Sequence, residues 1–181
     1  MKGIKRGLKI TVVLLISIFM VWACATVPKE SPGLYFNKDL RFSVKYPENY
    51  KPDKLQGTEV LRVYNPNQWK IPVLTASITD LAQGAKLEDS AKAWIEVVKK
   101  ANPKTKRYKV LSKEMIKLED GTPAYAFVIK WNWTDGVTKL QSGAVTAFKG
   151  KKSVNVSATT VFGGETTPDK LLAMCRTLKF H

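Results

Sequence analysis

The chain has 181 residues, a formal net charge of +15, 44% hydrophobic and 25% charged residues. That balance excludes wholesale disorder and leaves room for one domain with a sizeable core. With 1 histidine and 2 cysteines, most Ser-His-Asp, Cys-His, zinc and iron chemistry is excluded, whereas the basic excess favours anionic partners.

Residues 1–9, MKGIKRGLK, form a basic n-region, and Ile10 to Val21 an apolar h-region followed by small residues, the anatomy of a secretory signal. Lys2, Lys5, Arg6 and Lys9 take four positive charges, leaving +11 on the remainder. A helix over Ile10–Ala25 would rise about 24 Å, short of the ~30 Å hydrocarbon core, which disfavours a permanent span.

Val21-Trp22-Ala23-Cys24 resembles the lipobox of bacterial lipoproteins, with Val21 a tolerated variant of the usual Leu and Trp22 a departure from the usual Ala or Ser. The resemblance implies a diacylglycerol on the Cys24 thiol, cleavage before Cys24, and attachment to a membrane by two or three acyl chains. Ala25, where Asp would imply inner-membrane retention, implies the outer membrane. Two other readings stay open: Ala23-Cys24-Ala25 as an A-x-A site releasing a soluble secreted protein, and an uncleaved anchor. Residues 1–23 are therefore read as a signal peptide, 24–33 as a tether and 34–181 as the domain. From Ala25 to Gly33 the tether spans roughly 30 Å when extended, which keeps the domain near the bilayer.

From Leu34 the pattern is of strands. YFNKDLRFSVKYP predicts a hairpin with a turn at Asn37-Lys38-Asp39, then Phe42, Val44 and Tyr46 alternating with Arg41, Ser43 and Lys45. Further strands are expected at Glu59–Tyr64 and Pro72–Thr79, with NPNQWK as the turn and Trp69 as an exposed contact or a rim residue. LEDSAKAWIEVVKKA, 87–101, shifts to helical spacing, with Leu87, Ala91, Trp94, Ile95 and Val98 in one stripe. Strands follow over Tyr108–Leu118, Ala124–Trp133, Val137–Phe148 and Ser153–Phe162, joined by turns that include Asp120-Gly121 and Asp135-Gly136. A closing helix opens at Thr167-Pro168, carries the stripe Leu171, Met174, Cys175, Leu178 and is read to end at Phe180. Cys175 is expected in the core with no disulfide; an uncapped Cys24 could pair with it.

Tyr125, Phe127, Ile129, Trp131 and Trp133 load one face of a strand, while Ala124, Ala126 and Val128 make the other apolar too. A sheet apolar on both faces must be covered on both. The expected class is therefore α+β, an α/β/α sandwich of a mainly antiparallel six- to seven-stranded sheet and two main helices. Phe42-x-Val44-x-Tyr46-Pro47, the mid-chain helix, Gly121-x-Pro123-Ala124-Tyr125 and the closing Arg176-Thr177-Leu178-Lys179-Phe180 resemble the PsbP-like superfamily. That superfamily also holds the Ran-binding Mog proteins and DcrB-type bacterial lipoproteins. The resemblance implies the fold and a non-enzymatic accessory or binding role.

No catalytic constellation, metal site or cofactor is read from the residues. His181 is expected to fray, Glu119, Asp120 and Asp135 to serve turns, and Gly163-Gly164 to form a plain turn. Lys99, Lys100, Lys104, Lys106, Arg107 and Lys109 form a basic run, continued by Lys113 and Lys117 and opposed by Glu114. Simple alternation places Lys109, Lys113 and Lys117 on one strand face. The run is either a solvated surface or a patch for an envelope protein or an anionic glycolipid or polysaccharide. Export and poor aromatic interleaving argue against nucleic acid. An enzyme with an unrecognised site is the remaining alternative.

Overall fold

A computed structural model of the chain describes residues 31–67 and 71–181. The expected signal segment, Cys24, most of the tether and Trp69 lie outside the described residues. The first hairpin forms as read from Leu34–Asn37 (β1) and Phe42–Lys45 (β2), with Asn37 Oδ1 accepting the Leu40 N–H at 2.9 Å in the turn. Ser43 departs from the expected alternation and is buried beside Phe42 and Val44. The reason is a short strand, Lys179–Phe180 (β10), that pairs along the other edge of β2 and closes a separate three-stranded sheet.

The main sheet contains Lys51–Pro52 (β3), Glu59–Tyr64 (β4), Val73–Asp80 (β5), Lys106–Lys117 (β6), Pro123–Asn132 (β7), Lys139–Lys149 (β8) and Lys152–Val161 (β9). Its order is β3-β4-β5-β9-β8-β7-β6, antiparallel at every junction. Gly121 and Gly136 take φ of 84° and 76° in the expected turns, a region open to glycine at little steric cost. This register leaves β5 and β6 pointing the same way. The chain must therefore cross back along the sheet, and does so through a 3-10 turn at Leu87–Asp89 and the helix Ser90–Ala101 (α1).

Side-chain volume sets how close each helix lies. On one face, bulky Tyr125, Phe127, Ile129 and Trp131 form a cluster with Ala91 of α1. These large side chains hold the helix off the sheet, so Trp94, Ile95 and Val98 pack only half-buried. The opposite face presents Ala124, Ala126, Val128, Ala147 and Ala158. Pro168–Cys175 (α2) settles directly upon it, with Leu171, Leu172 and Cys175 buried. Phe42, Val44 and Phe180 of the small sheet join the same cluster beside Leu61, Val63 and Leu74. Helix, sheet and helix thus form the α/β/α sandwich, with the small sheet added to the α2 layer.

Two details correct the sequence reading. The closing helix stops at Cys175, leaving Lys179–Phe180 to be β10, although Leu178 stays buried from the intervening turn. His181 is not frayed. Its N–H donates to Arg41 O at 2.8 Å, its Nε2 lies 2.8 Å from Ser43 Oγ, and its ring meets Phe36 edge-on at 5.6 Å. Burial, with Lys179 and Arg41 nearby, holds its pKa below the usual histidine value.

Candidate functional site

Antiparallel pairing of Lys106 with Asn132, Asn132 with Lys139, and Leu140 with Val161 collects the start of β6, the β7–β8 turn and the end of β9 at one end of the sheet. Because α1 runs toward this end, Lys99 and Lys100 in its last turn join Lys104, Lys106, Arg107 and Lys109 there, all exposed. The two cations also sit at the negative pole of the helix dipole.

The corner is held rigidly. The Asn102 N–H closes the helix on Val98 O at 2.8 Å, and buried Thr105 donates to Asn102 O at 2.7 Å and pairs with the Tyr108 hydroxyl. Arg107 takes a left-handed φ of 56° where the β6–β7 register shifts, a bulge that turns Tyr108 inward and leaves Arg107 outside. Tyr108 then stacks on Trp131, with ring centres 5.9 Å apart and planes at 7°. Lys99 Nζ lies 5.6 Å from the Tyr108 ring centre and 2.9 Å from Glu96 Oε1.

A second register shift, between Val110 and Ser112, overturns the expected alternation. Lys109 pairs with Lys130 on the Ala124–Val128 face, while Lys113 pairs with Phe127 and Lys117 with Pro123 on the other. Lys109 therefore belongs to the basic end, whereas Lys113 and Lys117 run away from it along the exposed edge strand. Lysines on such a strand deter pairing with another chain's edge.

Two ion pairs lie at the far end. Lys152 meets Asp80 at 2.7 Å and Lys179 meets Glu119 at 2.8 Å. The hydrogen bond and charge of Lys179 hold the Glu119 carboxyl below its ordinary pKa. Burial works to raise that of Asp120, but the Thr122 and Phe180 N–H groups, at 2.9 and 2.6 Å, outweigh it and lower it. A groove of ≈ 470 Å³ beside them is lined by Glu114, Ile116, Lys117, Leu118, Glu119 and Arg176, and the Arg176–Glu114 pair at 2.5 Å spans it.

Ser43 and His181 are in hydrogen-bond contact, a pairing hidden from the sequence because the two stand 138 positions apart. Ser43 is 5% exposed, on the central strand of a three-stranded sheet. The contact ties the closing residues to β2. Cys175 is fully buried, its thiol donates to Gly143 O at 3.4 Å, and burial raises its pKa strongly. Among the described residues, no group of three or more His, Cys, Asp or Glu is placed to hold a metal, and no helix is long and apolar enough to cross a membrane.

The sequence missed Lys130, Lys139 and the apolar residues that topology adds to the basic end. The signal lay in the hairpin at Asp135-Gly136, which pairs the residues on either side of it. Among solved structures, the cyanobacterial PsbP (CyanoP) of Synechocystis sp. PCC 6803 matches with a TM-score of 0.66 at 14% identity, covering 88% of this chain and 98% of CyanoP. The fold is PsbP-like. A Bacteroides thetaiotaomicron VPI-5482 protein matches at TM-score 0.41 and 18% identity, covering 84% of this chain and 49% of its own. The Pseudomonas aeruginosa protein PA94, of unknown function, matches at TM-score 0.43 and 19% identity, covering 76% of this chain and 84% of its own. No family model and no curated protein matches the sequence.

Proposed function

We propose that this PsbP-like chain is a lipid-anchored cell-envelope protein, held by Cys24 on the periplasmic side of the outer membrane. There it acts as a non-catalytic binding or accessory module for a protein or an anionic envelope component. The observation that carries the binding role is the gathering of Lys99, Lys100, Lys104, Lys106, Arg107 and Lys109 at one exposed end, beside a corner fixed by the Tyr108–Trp131 stack. The anchoring rests on the sequence alone. A second reading, a soluble secreted module cleaved after Ala25, keeps the same binding end.

Changing Lys104, Lys106 and Arg107 together to Glu should weaken binding to immobilised heparin by roughly 1–3 kcal/mol at low salt, the sum expected of exposed charge pairs. Raising salt should erase the difference between variant and native protein. Equal retention of the two at low salt would show that the basic end is merely solvated.

A further inference from the structure

The basic end is also apolar, and the two characters are arranged in one tip. Trp133 is 39% exposed, Val137 76%, Val161 36% and Phe162 39%. All four lie at this end, because the Phe162 N–H donates to Lys139 O at 2.8 Å and Trp133 and Val137 are in the β7–β8 turn. Trp133 extends the Trp131–Tyr108 ladder, its ring centre 5.7 Å from that of Trp131. Phe162 lies on the other side of the hairpin with Lys130 Nζ 3.6 Å from its ring centre. Lys104, Lys106, Arg107, Lys130 and Lys139 flank this tip.

From this arrangement we infer that the tip docks on an anionic lipid bilayer, with Val137, Trp133 and Phe162 entering the headgroup region and the surrounding cations facing lipid phosphates. The inference rests on the proposed binding end and names its ligand. Charge complementarity supplies half of the argument: each cation held near an anionic membrane strengthens binding roughly fivefold. Exposed tryptophan and phenylalanine supply the other half. A soluble polyanion offers no apolar phase to receive them, whereas the bilayer interface does.

The turn is suited to losing water. Trp133 N–H donates to Thr138 O at 2.8 Å, Gly136 N–H to Trp133 O at 3.0 Å, and Asn132 Nδ2 to Gly136 O at 2.8 Å. The Val137 and Thr138 N–H groups both donate to Asp135 Oδ1, at 2.9 and 2.8 Å. Seating Val137 in lipid headgroups therefore strands none of these donors, which is the usual cost of burying a loop. Asp135 is the one acid in the turn. The Thr138 hydroxyl and these backbone bonds lower its pKa, so it stays charged, outnumbered by the cations around it.

An environment-sensitive nitrobenzoxadiazole dye tests this, attached at Val137→Cys in the full chain carrying Cys24→Ser. Cys175 is buried and does not compete for label. A dye at Lys151→Cys, in the turn at the opposite end, is the control. The apolar Ile10–Val21 segment is common to every variant, so only the response of each end differs. On phosphatidylcholine vesicles containing phosphatidylglycerol, the dye at 137 should shift to the blue and brighten while the dye at 151 does not. The response should vanish in high salt and weaken roughly fivefold for each of Lys104, Lys106 and Arg107 neutralised. No shift at 137, an equal shift at 151, or an equal shift on pure phosphatidylcholine would each overturn bilayer docking. If the charge-reversed protein loses heparin binding while the dye at 137 never responds, the anion-binding end stands and lipid is not its ligand. If heparin binding is also unchanged, both fall.

Discussion

Replacing Trp131 with alanine should lower the stability of the domain by about 3–5 kcal/mol, the range for removing a large aromatic from a packed core. Trp131 is 4% exposed and is the hub of its face of the sheet. It stacks on Tyr108, meets Trp94 of α1 edge-on at 6.2 Å, and donates from Nε1 to Ser142 Oγ at 3.0 Å. Ser142 keeps a second partner, Thr159 Oγ1 at 2.8 Å, so the loss is chiefly packing rather than an orphaned hydroxyl. Trp133→Ala, at the exposed end of the same ladder, should cost about 1 kcal/mol, an aromatic pair without much burial. Urea unfolding of the two variants separates these outcomes; equal midpoints would contradict the placement of α1 over Trp131.

Gly143→Val should detach α2 from the opposite face. A Cβ at residue 143 would lie 2.9 Å from Leu171 Cβ and 3.1 Å from the Leu172 backbone nitrogen, closer than van der Waals contact allows. Backbone cannot swing aside as a side-chain tip can, so helix or strand must move. Overpacking of this kind costs typically 1–3 kcal/mol for one or two carbons, and valine's branched side chain should reach the top of that range. The readout is Cys175. Its thiol donates to the Gly143 carbonyl and is wholly buried. With Cys24→Ser as the common background, native protein should resist a thiol reagent until it unfolds, and the valine variant should react at least tenfold faster. Unchanged reactivity would mean that α2 does not rest on Gly143.

What could be read from the residues depended on how local the signal was. β4 follows from alternation and α1 from its stripe, since both periods are set by neighbours within a few residues. The four-stranded run from β6 to β9 follows from its turns, two of which carry Asp-Gly. β10 was invisible because two residues have no period; Lys179–Phe180 becomes a strand only because β2 offers an edge. The contact of His181 with Ser43 is hidden for the same reason. Bulges defeated the face assignment of Lys109, because one inserted residue reverses every side chain beyond it. Six members of the basic end were legible as a run, Lys99 to Lys109. Lys130, Lys139, Trp133 and Phe162 are brought to it by strand order alone.

The proposed membrane attachment rests on Cys24, and intact-mass spectrometry of the chain recovered from the cell envelope tests it most directly. A mature protein beginning at Cys24 and heavier than its polypeptide by a diacylglycerol, with or without a further acyl chain, is the predicted result. A chain beginning at Thr26, or one retaining residues 1–23 with Cys24 unmodified, would contradict it.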